Sequence, residues 1–528
     1  MKKYFPHVFI ILLVMIVYWP SLSGDFIFDD NGLIKNNPYV KQLHSVSSYL
    51  AQEDGITDKT DTPGHLHTGY YRPLLNFSYY IDYKIWGMKA FGFRLTNIIL
   101  HLICCLLIFQ LLIALKIDRN AAFLGSLFFA LHPTDTESIS MIVSRNNLLV
   151  TIFSLLSFML YVKSRQGRLV YLFTSTVFFG LALLSKENAL MMLPVLFLWN
   201  RFTVTENKGL VKEIGGYLPF LFLAAAYLIL RSQVIGVFTS PIPLTNFMTR
   251  LYFVPYIIAS DFLLIFFPFG LHSFYVTYPG SYLGYQAIIS YIFLLSMVIA
   301  LWKLRKERLL IFSIAAFVVI LFPVLNLVPF ASPSIVTMRW LYFPLALLSV
   351  GIAYSIQILI SHERIKFVGL SVLSILLLYF AVYTYTLNGT LWKNQRSFLN
   401  IEVLQFHNVL FADALAEALH SENKYHESEK LYLASLNAFP DKADTYINYS
   451  ALLIDTGRPE EAKKYLNRAR PLTMSTSKRC EWLNNMGVAC GRLNQKQCAL
   501  ENLSLAVQYC PGNSGFKANL ETIKASIP

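Results

Sequence analysis

Two adjacent aspartates, Asp29 and Asp30, follow the first apolar segment of the chain. A carboxylate next to a substrate can act as a general base and take the proton of an attacking hydroxyl. Cationic residues recur at the ends of later apolar segments; they are Arg72, Arg145, Lys186 and Arg339. Such cations can neutralise a departing phosphate, and arginine can hold it through two nitrogens. The combination indicates chemistry on a phosphorylated lipid.

Three further polar residues lie beside these cations in the sequence and could orient a substrate. They are His132, Glu137 and Glu187. Each of these features also has a structural interpretation. The aspartates could cap a helix at a turn, Arg72 could reach to a membrane interface, and Lys186 could pair locally with Glu187. Singly the residues are weak evidence, and their common location, argued below, is stronger.

The composition is that of a membrane protein. Of 528 residues 55% are hydrophobic and 14% are charged, and the mean hydropathy is +0.49. Soluble domains carry about 25% charged residues, so a soluble enzyme is excluded. A disordered chain is excluded as well, because it could not keep this much apolar surface solvated.

The apolar segments predict an all-α bundle with about eleven membrane spans, since about 20 apolar residues cross a bilayer. We predict spans at 6–22, 95–115, 120–132, 147–162, 169–184, 188–200, 214–230, 286–302, 309–328, 340–360 and 367–387. The segment 250–271 is long enough to cross but contains Pro255, Asp261 and Pro268. We expect it to be re-entrant or to lie in the outer interface.

The basic residues set the predicted orientation. Sixteen Lys and Arg residues lie in one set of connections and in the amino-terminal segment, whereas the short connections on the other side hold only Arg145, Lys186 and Arg339. Cytoplasmic loops carry the excess of basic residues, so we expect a cytoplasmic amino terminus. The net charge of +13 therefore points to membrane topology and not to nucleic-acid binding. The aspartates and the polar turns fall together on the outer side, where unpaired charge is costly unless it is used.

The carboxy-terminal part, residues 403–528, is polar and periodic. Small residues recur at Ser428, Ala462 and Ala499, which are 34 and 37 residues apart, and large residues follow each of them by four. This pattern is typical of tetratricopeptide repeats, in which small residues let paired helices approach. We predict about three repeats on the outer side. Such a stack could bind an extended peptide or serve only as a structural brace.

Four of the six cysteines, Cys480, Cys490, Cys498 and Cys510, lie in the third repeat region. On the outer side they could form two disulfides with three different pairings. They could equally be small buried core residues with free thiols. The sequence leaves both alternatives open.

The chain resembles the TMTC family, the transmembrane and tetratricopeptide-repeat protein O-mannosyltransferases, and their bacterial relatives. The resemblance rests on six stretches and on the repeats. The stretches are FIFDDNGLIKNNPYV (26–40), YYRPLLNFSYYIDYKIWG (70–87), FGFRLTNIILH (91–101), LFFALHPTDTESISMIVSRNNLL (127–149), LLSKENAL (183–190) and MRWLYFPLA (338–346). It implies the GT-C class of glycosyltransferases, with a transmembrane catalytic domain at 1–390 and a long first outer loop at 23–94.

The resemblance also implies roles for the site residues. One of Asp29 and Asp30 would be the base for an acceptor Ser or Thr hydroxyl, in an inverting displacement of polyprenyl phosphate. Neighbouring side chains of an extended segment point in opposite directions, so we expect only one, Asp29, to reach the substrate. Arg72, Arg145, Lys186 and Arg339 become candidates for the lipid phosphate, and His132, Glu137 and Glu187 for orienting the site.

The predicted function is transfer of one sugar, which could be mannose, from a polyprenyl-phosphate donor to Ser or Thr of exported proteins held by the repeats. Alternatives are transfer to a lipid or cell-envelope glycan, or a non-enzymatic membrane scaffold that presents the repeats. No metal ligands are assigned, although Mg²⁺ or Mn²⁺ could assist. We expect contacts with membrane lipids but no nucleic acid, and a bacterial inner membrane location, or an endoplasmic reticulum membrane in a eukaryote.

Overall fold

The structure is a computed structural model that describes residues 4–51, 70–203, 210–235, 247–275, 284–327, 334–469, 472 and 475–526. These residues form helices and no strand; one isolated β-bridge joins Tyr275 and Val336. The predicted all-α fold class is therefore confirmed. The described residues fall into two compact units, one ending at Phe398 and the other beginning at Leu399.

The first unit contains the apolar helices and two short helices with polar residues. They are α1 (Phe5–Tyr18), α2 (Val46–Leu50), α3 (Pro73–Trp86), α4 (Ala90–Ala114), α5 (Arg119–Ala130), α6 (Asp135–Ser140), α7 (Arg145–Ser164), α8 (Leu169–Ser185), α9 (Met192–Thr203), α10 (Leu210–Ile235), α11 (Phe247–Phe266), α12 (Tyr285–Lys303), α13 (Arg308–Leu321), α14 (Tyr342–Ser361) and α15 (Glu363–Gly389). The short helix α16 (Gln395–Asn400) follows where the two units join.

Eight helices in the described part of the chain are long and apolar enough to cross a membrane, and α8 and α13 are shorter apolar helices. The predicted spans 120–132 and 188–200 correspond to α5 and α9, which have 12 residues each. At 1.5 Å per residue such a helix is about 18 Å long, short of the roughly 30 Å hydrocarbon core. Because the two predicted segments have only 13 residues and the helices have 12, the count of eleven full spans is not reproduced at these two positions.

The segment predicted to be re-entrant is an unbroken helix, α11, that continues through Pro255. A turn back within Phe247–Phe266 is thus excluded. It contacts α12 at two positions: Tyr291 Oη donates to the Tyr252 carbonyl at 3.1 Å, and the rings of Phe262 and Phe293 lie 5.7 Å apart. Because α11 is one of the eight helices that are long and apolar enough to cross a membrane, its location in the outer interface stays a prediction.

One end of the helical bundle is joined by polar contacts between distant parts of the chain. The Thr384 hydroxyl in α15 donates to the carbonyl of Leu131, just after α5, and Ser140 bonds to Asn388. Near the end of α1, the carbonyl of Ser21 accepts from Arg94 in α4. We call this end the site end, because the residues described below lie there.

Helix α14 is the central element of the bundle and begins at the site end. Twelve of its residues are buried, and Gly351 packs so closely on α13 that an added Cβ would lie 2.0 Å from Ser313 Oγ. Because a buried helix is fixed by its neighbours on all sides, the turn that precedes it is held firmly. That turn, Met338–Trp340, carries Arg339.

The second unit consists of three helical hairpins and a final helix. The helices are α17 (Ala412–Ser421), α18 (Tyr425–Ala438), α19 (Ala443–Asp455), α20 (Pro459–Ala469), α21 (Thr476–Arg492), α22 (Lys496–Tyr509) and α23 (Ser514–Ala525). The small residues of the repeat pattern, Ser428, Ala462 and Ala499, are fully buried. At Gly487 an added Cβ would lie 2.6 Å from Leu503 Cγ, which shows why a small residue is needed there.

The hairpin turns repeat with the period of the helices. Each contains one residue in the left-handed conformation: Asn423 (φ 60°), Gly457 (φ 78°) and Asn494 (φ 56°). Asparagine and glycine are the residues that tolerate this conformation at a helix end. Their separations of 34 and 37 residues equal those of the buried small residues, so turn and packing positions follow one repeat.

Two disulfides connect the helices of the third hairpin. Cys480–Cys510 links the first part of α21 to the residue after α22, and Cys490–Cys498 links the end of α21 to the start of α22. Their Cα–Cα distances are 6.3 Å and 5.9 Å. Of the alternatives that the sequence left open, the structure has the disulfides in this one pairing. Cys104 and Cys105 of the membrane unit are free and buried.

Candidate functional site

The first loop is fixed to the bundle by Asp30. Its carboxylate is fully buried, and its two oxygens accept hydrogen bonds from the backbone amides of Ile27 (3.1 Å) and Val143 (2.8 Å). Val143 lies in the turn Ile142–Ser144 before α7, so the bond joins the loop after α1 to the approach of another helix. Burial raises the pKa of Asp30 to about 6 against the opposing effects of the two amides and of Arg94. Asp30 has no free oxygen to offer a substrate.

Asp29 differs from Asp30 in its surroundings. It is only half-buried, and no residue in the described part of the chain donates a hydrogen bond to its carboxylate. Burial raises the pKa of Asp29, and the Arg339 guanidinium partly opposes that effect. Phe28, the preceding residue, has the left-handed φ of 48°, a costly conformation for an aromatic residue. Its amide donates to Gln395 at 2.6 Å, which holds this backbone in place.

Arg339 is oriented by Glu137. The backbone amide of Arg339 donates to Glu137 Oε2 at 3.0 Å, and a guanidinium nitrogen lies 3.6 Å from Oε1. Glu137 is fully buried and also accepts from the Ser273 hydroxyl at 2.8 Å. The guanidinium lies 5.5 Å from the centre of the Phe274 ring. Because these contacts leave one side of Arg339 partly exposed, the cation is positioned without being enclosed.

Arg72 and Glu187 form the second ion pair. Two guanidinium nitrogens of Arg72 donate to the two oxygens of Glu187, at 3.2 Å and 2.8 Å. Burial would raise the pKa of Glu187, but the Arg72 charge and hydrogen bonds outweigh it and lower that pKa to about 2. Arg72 also stacks on Tyr70 at 4.0 Å. The pair links the start of α3 to the turn after α8.

Lys186 lies beside this pair. Its ammonium group donates to Asn147 Oδ1 at 2.6 Å. Burial, together with the guanidinium charges of Arg72 and Arg339, lowers the pKa of Lys186 to about 7 against the opposing charges of Glu187 and Glu137. A lysine in such a position is charged in the presence of an anion and loses its proton readily in its absence.

These residues share one electrostatic neighbourhood. Tyr70 feels the charges of Asp29, Arg72, Glu187 and Arg339, and Lys186 feels those of Glu137 and Arg339. We call them the site cluster: Asp29, Tyr70, Arg72, Glu137, Lys186, Glu187 and Arg339. The sequence places these residues in five separate regions of the chain, and the fold brings them together. The carboxylate of such a cluster can deprotonate a hydroxyl. Its cations can stabilise a phosphate.

Two other predicted site residues, Arg145 and His132, are engaged by partners outside the site cluster. Arg145 is fully buried, and its guanidinium donates to Asp82, Asn97 and Ser78 and to the Phe93 carbonyl. With its donors used inside the protein, Arg145 is not placed to hold a lipid phosphate, and we withdraw that role.

His132 is likewise enclosed. Its Nε2 lies 2.9 Å from the carbonyl of Ile265, and its Nδ1 lies 2.7 Å from the Thr134 hydroxyl. The ring packs edge-on against Phe380 at 4.7 Å. Because a carbonyl can only accept, Nε2 carries a proton and the imidazole connects α11 to the turn after α5. This position serves packing between helices, and we withdraw the role of His132 in orienting the substrate.

Four residues contact the site residues although the sequence predicts no role for them. They are Tyr70, Asn147, Ser273 and Phe274. Tyr70 and Asn147 lie within the stretches that carry the family resemblance. Each is two residues away from a predicted site residue, Arg72 or Arg145, and this proximity in sequence could have indicated them. Ser273 and Phe274 lie in the connection after α11, where no charge pattern distinguishes them. Only the tertiary contacts with Glu137 and Arg339 reveal them.

A divalent metal does not fit the residues of the site cluster. Metal sites for Mg²⁺ need several oxygen ligands in a near-octahedral arrangement. Of the carboxylates in the cluster, Glu187 is held by Arg72, and Glu137 by the Arg339 amide and the Ser273 hydroxyl. In the described part of the chain no three or more His, Cys, Asp and Glu residues are grouped so that they could hold a metal ion.

The chain is similar in sequence to known proteins. Residues 72–234 match the family model described as dolichyl-phosphate-mannose-protein mannosyltransferase. Over 504 residues the chain is 22% identical to human protein O-mannosyl-transferase TMTC3, an alignment that covers 88% of this chain and 54% of that protein. The resemblance to the TMTC family is confirmed.

Other TMTC-type relatives are more similar over shorter stretches. Human protein O-mannosyl-transferase TMTC1 is 31% identical over 207 residues, which cover 36% of this chain and 23% of that protein. Protein O-mannosyl-transferase F38B6.6 of Caenorhabditis elegans is 32% identical over 191 residues, which cover 35% of this chain and 26% of that protein. The chain therefore spans about half or less of the length of these curated relatives. No solved structure matches it significantly.

Proposed function

We propose that this protein is a membrane glycosyltransferase that moves one sugar from a polyprenyl-phosphate donor to a Ser or Thr hydroxyl of an exported protein. One observation carries the proposal: the half-buried carboxylate of Asp29 lies in the field of Arg339, and Arg339 shares its surroundings with two further cations, Arg72 and Lys186. The names of the relatives, protein O-mannosyl-transferases, support mannose as the sugar and protein as the acceptor.

Asp29 is the proposed general base. The acceptor oxygen attacks the anomeric carbon of the sugar and forms the new glycosidic bond, while its proton passes to the Asp29 carboxylate. The bond between the anomeric carbon and the phosphate oxygen breaks on the opposite face, so the configuration inverts. Burial raises the pKa of Asp29, which makes it a stronger base than an exposed carboxylate.

The cations act on the departing phosphate. A sugar phosphodiester carries one negative charge, and the polyprenyl phosphate that leaves gains a second. Arg339 and Lys186 would stabilise this developing charge, since charged groups fixed in place act strongly in a site that excludes water. Arg72 is held in position by Glu187 through both of its nitrogens, and it supplies the third charge.

The repeats are the proposed binding surface for the acceptor. Asn448, Asn485 and Asn519 recur with spacings of 37 and 34 residues on the first helices of successive repeat positions, α19, α21 and α23. They take part in polar contacts between these helices: Asn485 donates to the Ile447 carbonyl at 3.2 Å, and Asn519 donates to Asn484 at 2.9 Å. Side-chain amides can bond the backbone of an extended peptide whatever its sequence.

The two disulfides support an outer location for the repeats. Disulfides persist in the periplasm, the endoplasmic reticulum lumen and outside the cell, and glutathione and thioredoxin keep cytosolic thiols reduced. The closed third hairpin therefore agrees with the charge distribution that puts the amino terminus in the cytoplasm. We propose a multi-pass protein of the bacterial inner membrane, or of the endoplasmic reticulum membrane in a eukaryote.

Comparative glycopeptide mass spectrometry tests the function. Exported proteins from cells with the intact gene, without it, and with the Asp29→Asn variant would be compared for sugars on Ser and Thr. The proposal expects one sugar mass that is lost in the last two strains. Unchanged protein glycans together with altered envelope lipids or glycans would instead establish a lipid or an envelope glycan as the acceptor. If neither changes, the protein would be a non-enzymatic membrane scaffold.

A further inference from the structure

Two buried side-chain oxygens next to the site cluster have no hydrogen-bond partner. They are Oδ1 of Asn146 and Oδ1 of Asn188. The exposed fractions of these residues are 7% and 9%, so bulk water does not satisfy the oxygens. Buried polar atoms are nearly always bonded, because an unmade bond leaves the full desolvation cost in place. Two open acceptors in one region therefore require an explanation.

The bond between Lys186 and Asn147 places the two asparagines in one region. Asn147 follows Asn146 in the first turn of α7, and Asn188 lies two residues after Lys186. Because the Lys186 ammonium reaches Asn147 Oδ1 at 2.6 Å, the turn after α8 lies against the start of α7. Glu187, between Lys186 and Asn188, holds Arg72. Both asparagines thus adjoin the cations proposed to bind the donor phosphate.

The chemistry of an amide oxygen limits what can fill these positions. It needs a donated hydrogen, which a polyprenyl chain lacks and an ionised phosphodiester cannot provide. Lys186 donates to Asn147 and to neither of these two oxygens. A neutral ligand with several hydroxyl groups meets the requirement, and a sugar attached to the phosphate would bring such groups to this position.

We propose that Asn146 and Asn188 bind the hydroxyl groups of the sugar carried by the polyprenyl-phosphate donor. This inference rests on the proposed function and adds the residues that recognise the sugar. Each oxygen accepts one hydrogen bond, so the two asparagines contact two hydroxyls. A site built to bond a hydroxyl discriminates strongly against a ligand without it, because its own buried group is then left unpaired.

The test compares two lipids that have the same tail and the same charge. One is polyprenyl-phosphate-mannose, and the other is polyprenyl methyl phosphate, a phosphodiester without a sugar. The dissociation constants of both are measured on the full-length protein in lipid nanodiscs. We expect the intact protein to bind the mannose lipid at least 10-fold more tightly, and the variant Asn146→Ala/Asn188→Ala to bind the two lipids equally.

Two further variants separate recognition from folding. Asn146→Asp/Asn188→Asp keeps the acceptor oxygens and should retain the preference for the mannose lipid. Asn200→Ala is the control. It removes another buried amide with an unbonded oxygen, in the last turn of α9 and about 18 Å from Asn188 along the helix axis. It should also retain the preference.

The binding ratio decides the inference without turnover. An intact protein that does not distinguish the two lipids, or an alanine variant that still does, would overturn it. Failure of the proposed function gives a different result, the absence of sugar transfer by the intact protein when both donor and acceptor are present. The two failures are therefore measured separately.

Discussion

The carboxylates of Asp29 and Asp30 are adjacent in sequence but differ in what holds them. Both oxygens of Asp30 accept backbone amides, from Ile27 and Val143, whereas the Asp29 carboxylate accepts no hydrogen bond from the described residues and lies in the field of Arg339. One aspartate is thus suited to fix the loop and the other to exchange a proton. This difference leads to the first prediction.

Substitution of each aspartate by asparagine should have a different effect. Asp29→Asn removes the base, and sugar transfer should fall by about 10²- to 10⁴-fold with little change in thermal stability. Asp30→Asn places an NH₂ group against a backbone amide and should lower the free energy of unfolding by about 1–3 kcal/mol. Transfer assays and thermal unfolding of both variants check this. Loss of transfer in Asp30→Asn at unchanged stability would make Asp30 the base.

The activity should have its optimum on the acid side of pH 7. As the pH rises through about 7, Lys186 loses its proton in the free enzyme and no longer attracts the donor phosphate, so kcat/KM should fall. As the pH decreases, protonation of Asp29 removes the base. In Lys186→Arg the cation stays charged, and the alkaline decrease should move to higher pH. Lys303→Arg, at the far end of α12, is the control and should leave the profile unchanged.

Arg145 and Arg339 should respond differently to loss of charge. Arg145 is enclosed with Asp82, so Arg145→Met leaves a buried carboxylate without its partner and should cost about 3–5 kcal/mol of stability. Arg339→Met should instead reduce kcat/KM with a small effect on stability, because its guanidinium is partly exposed. Unfolding and transfer are measured on both. Equal loss of transfer in the two variants at equal stability would return Arg145 to the site.

Reduction should loosen the third hairpin. Loop-closure entropy predicts about 3–4 kcal/mol for the link between Cys480 and Cys510, whose positions are 30 residues apart, and about 2–3 kcal/mol for Cys490–Cys498 at a separation of 8. Protease digestion of the full chain should then cleave near α21 and α22 first. Peptide mapping without reductant checks the pairing, and four free thiols in protein isolated under alkylating conditions would contradict it.

The sequence predicted the fold class and several site residues because both depend on local patterns. Apolar segments identify helices, and the connections at the site end contain Asp29, Arg72, Lys186 and Arg339. The pairing of these residues depends on which helices are neighbours, and that is not a local property. Arg145 illustrates the limit, because its partner Asp82 is 63 residues away and lies in α3.

Helices α5 and α9 show a second limit. Hydropathy alone gives a span where a segment is apolar, but the length of the helix depends on where a turn forms. After α5 the turn at Thr134 begins a short helix of polar residues, α6, in which all six residues are buried. Hydropathy placed both ends of α5 to within two residues, but it could not show that the polar residues after α5 are buried inside the protein.

The charges of the site cluster have a consequence for the end of the reaction cycle. Its three cations, Arg72, Lys186 and Arg339, face three carboxylates, Asp29, Glu137 and Glu187, so these six groups sum to zero when all are ionised. Transfer would put a proton on Asp29 and a second negative charge on the lipid, and the six groups would then carry +1 opposite their product. Polyprenyl phosphate would be held most strongly until Asp29 releases its proton to the outer side. Release of product and release of a proton would therefore be coupled.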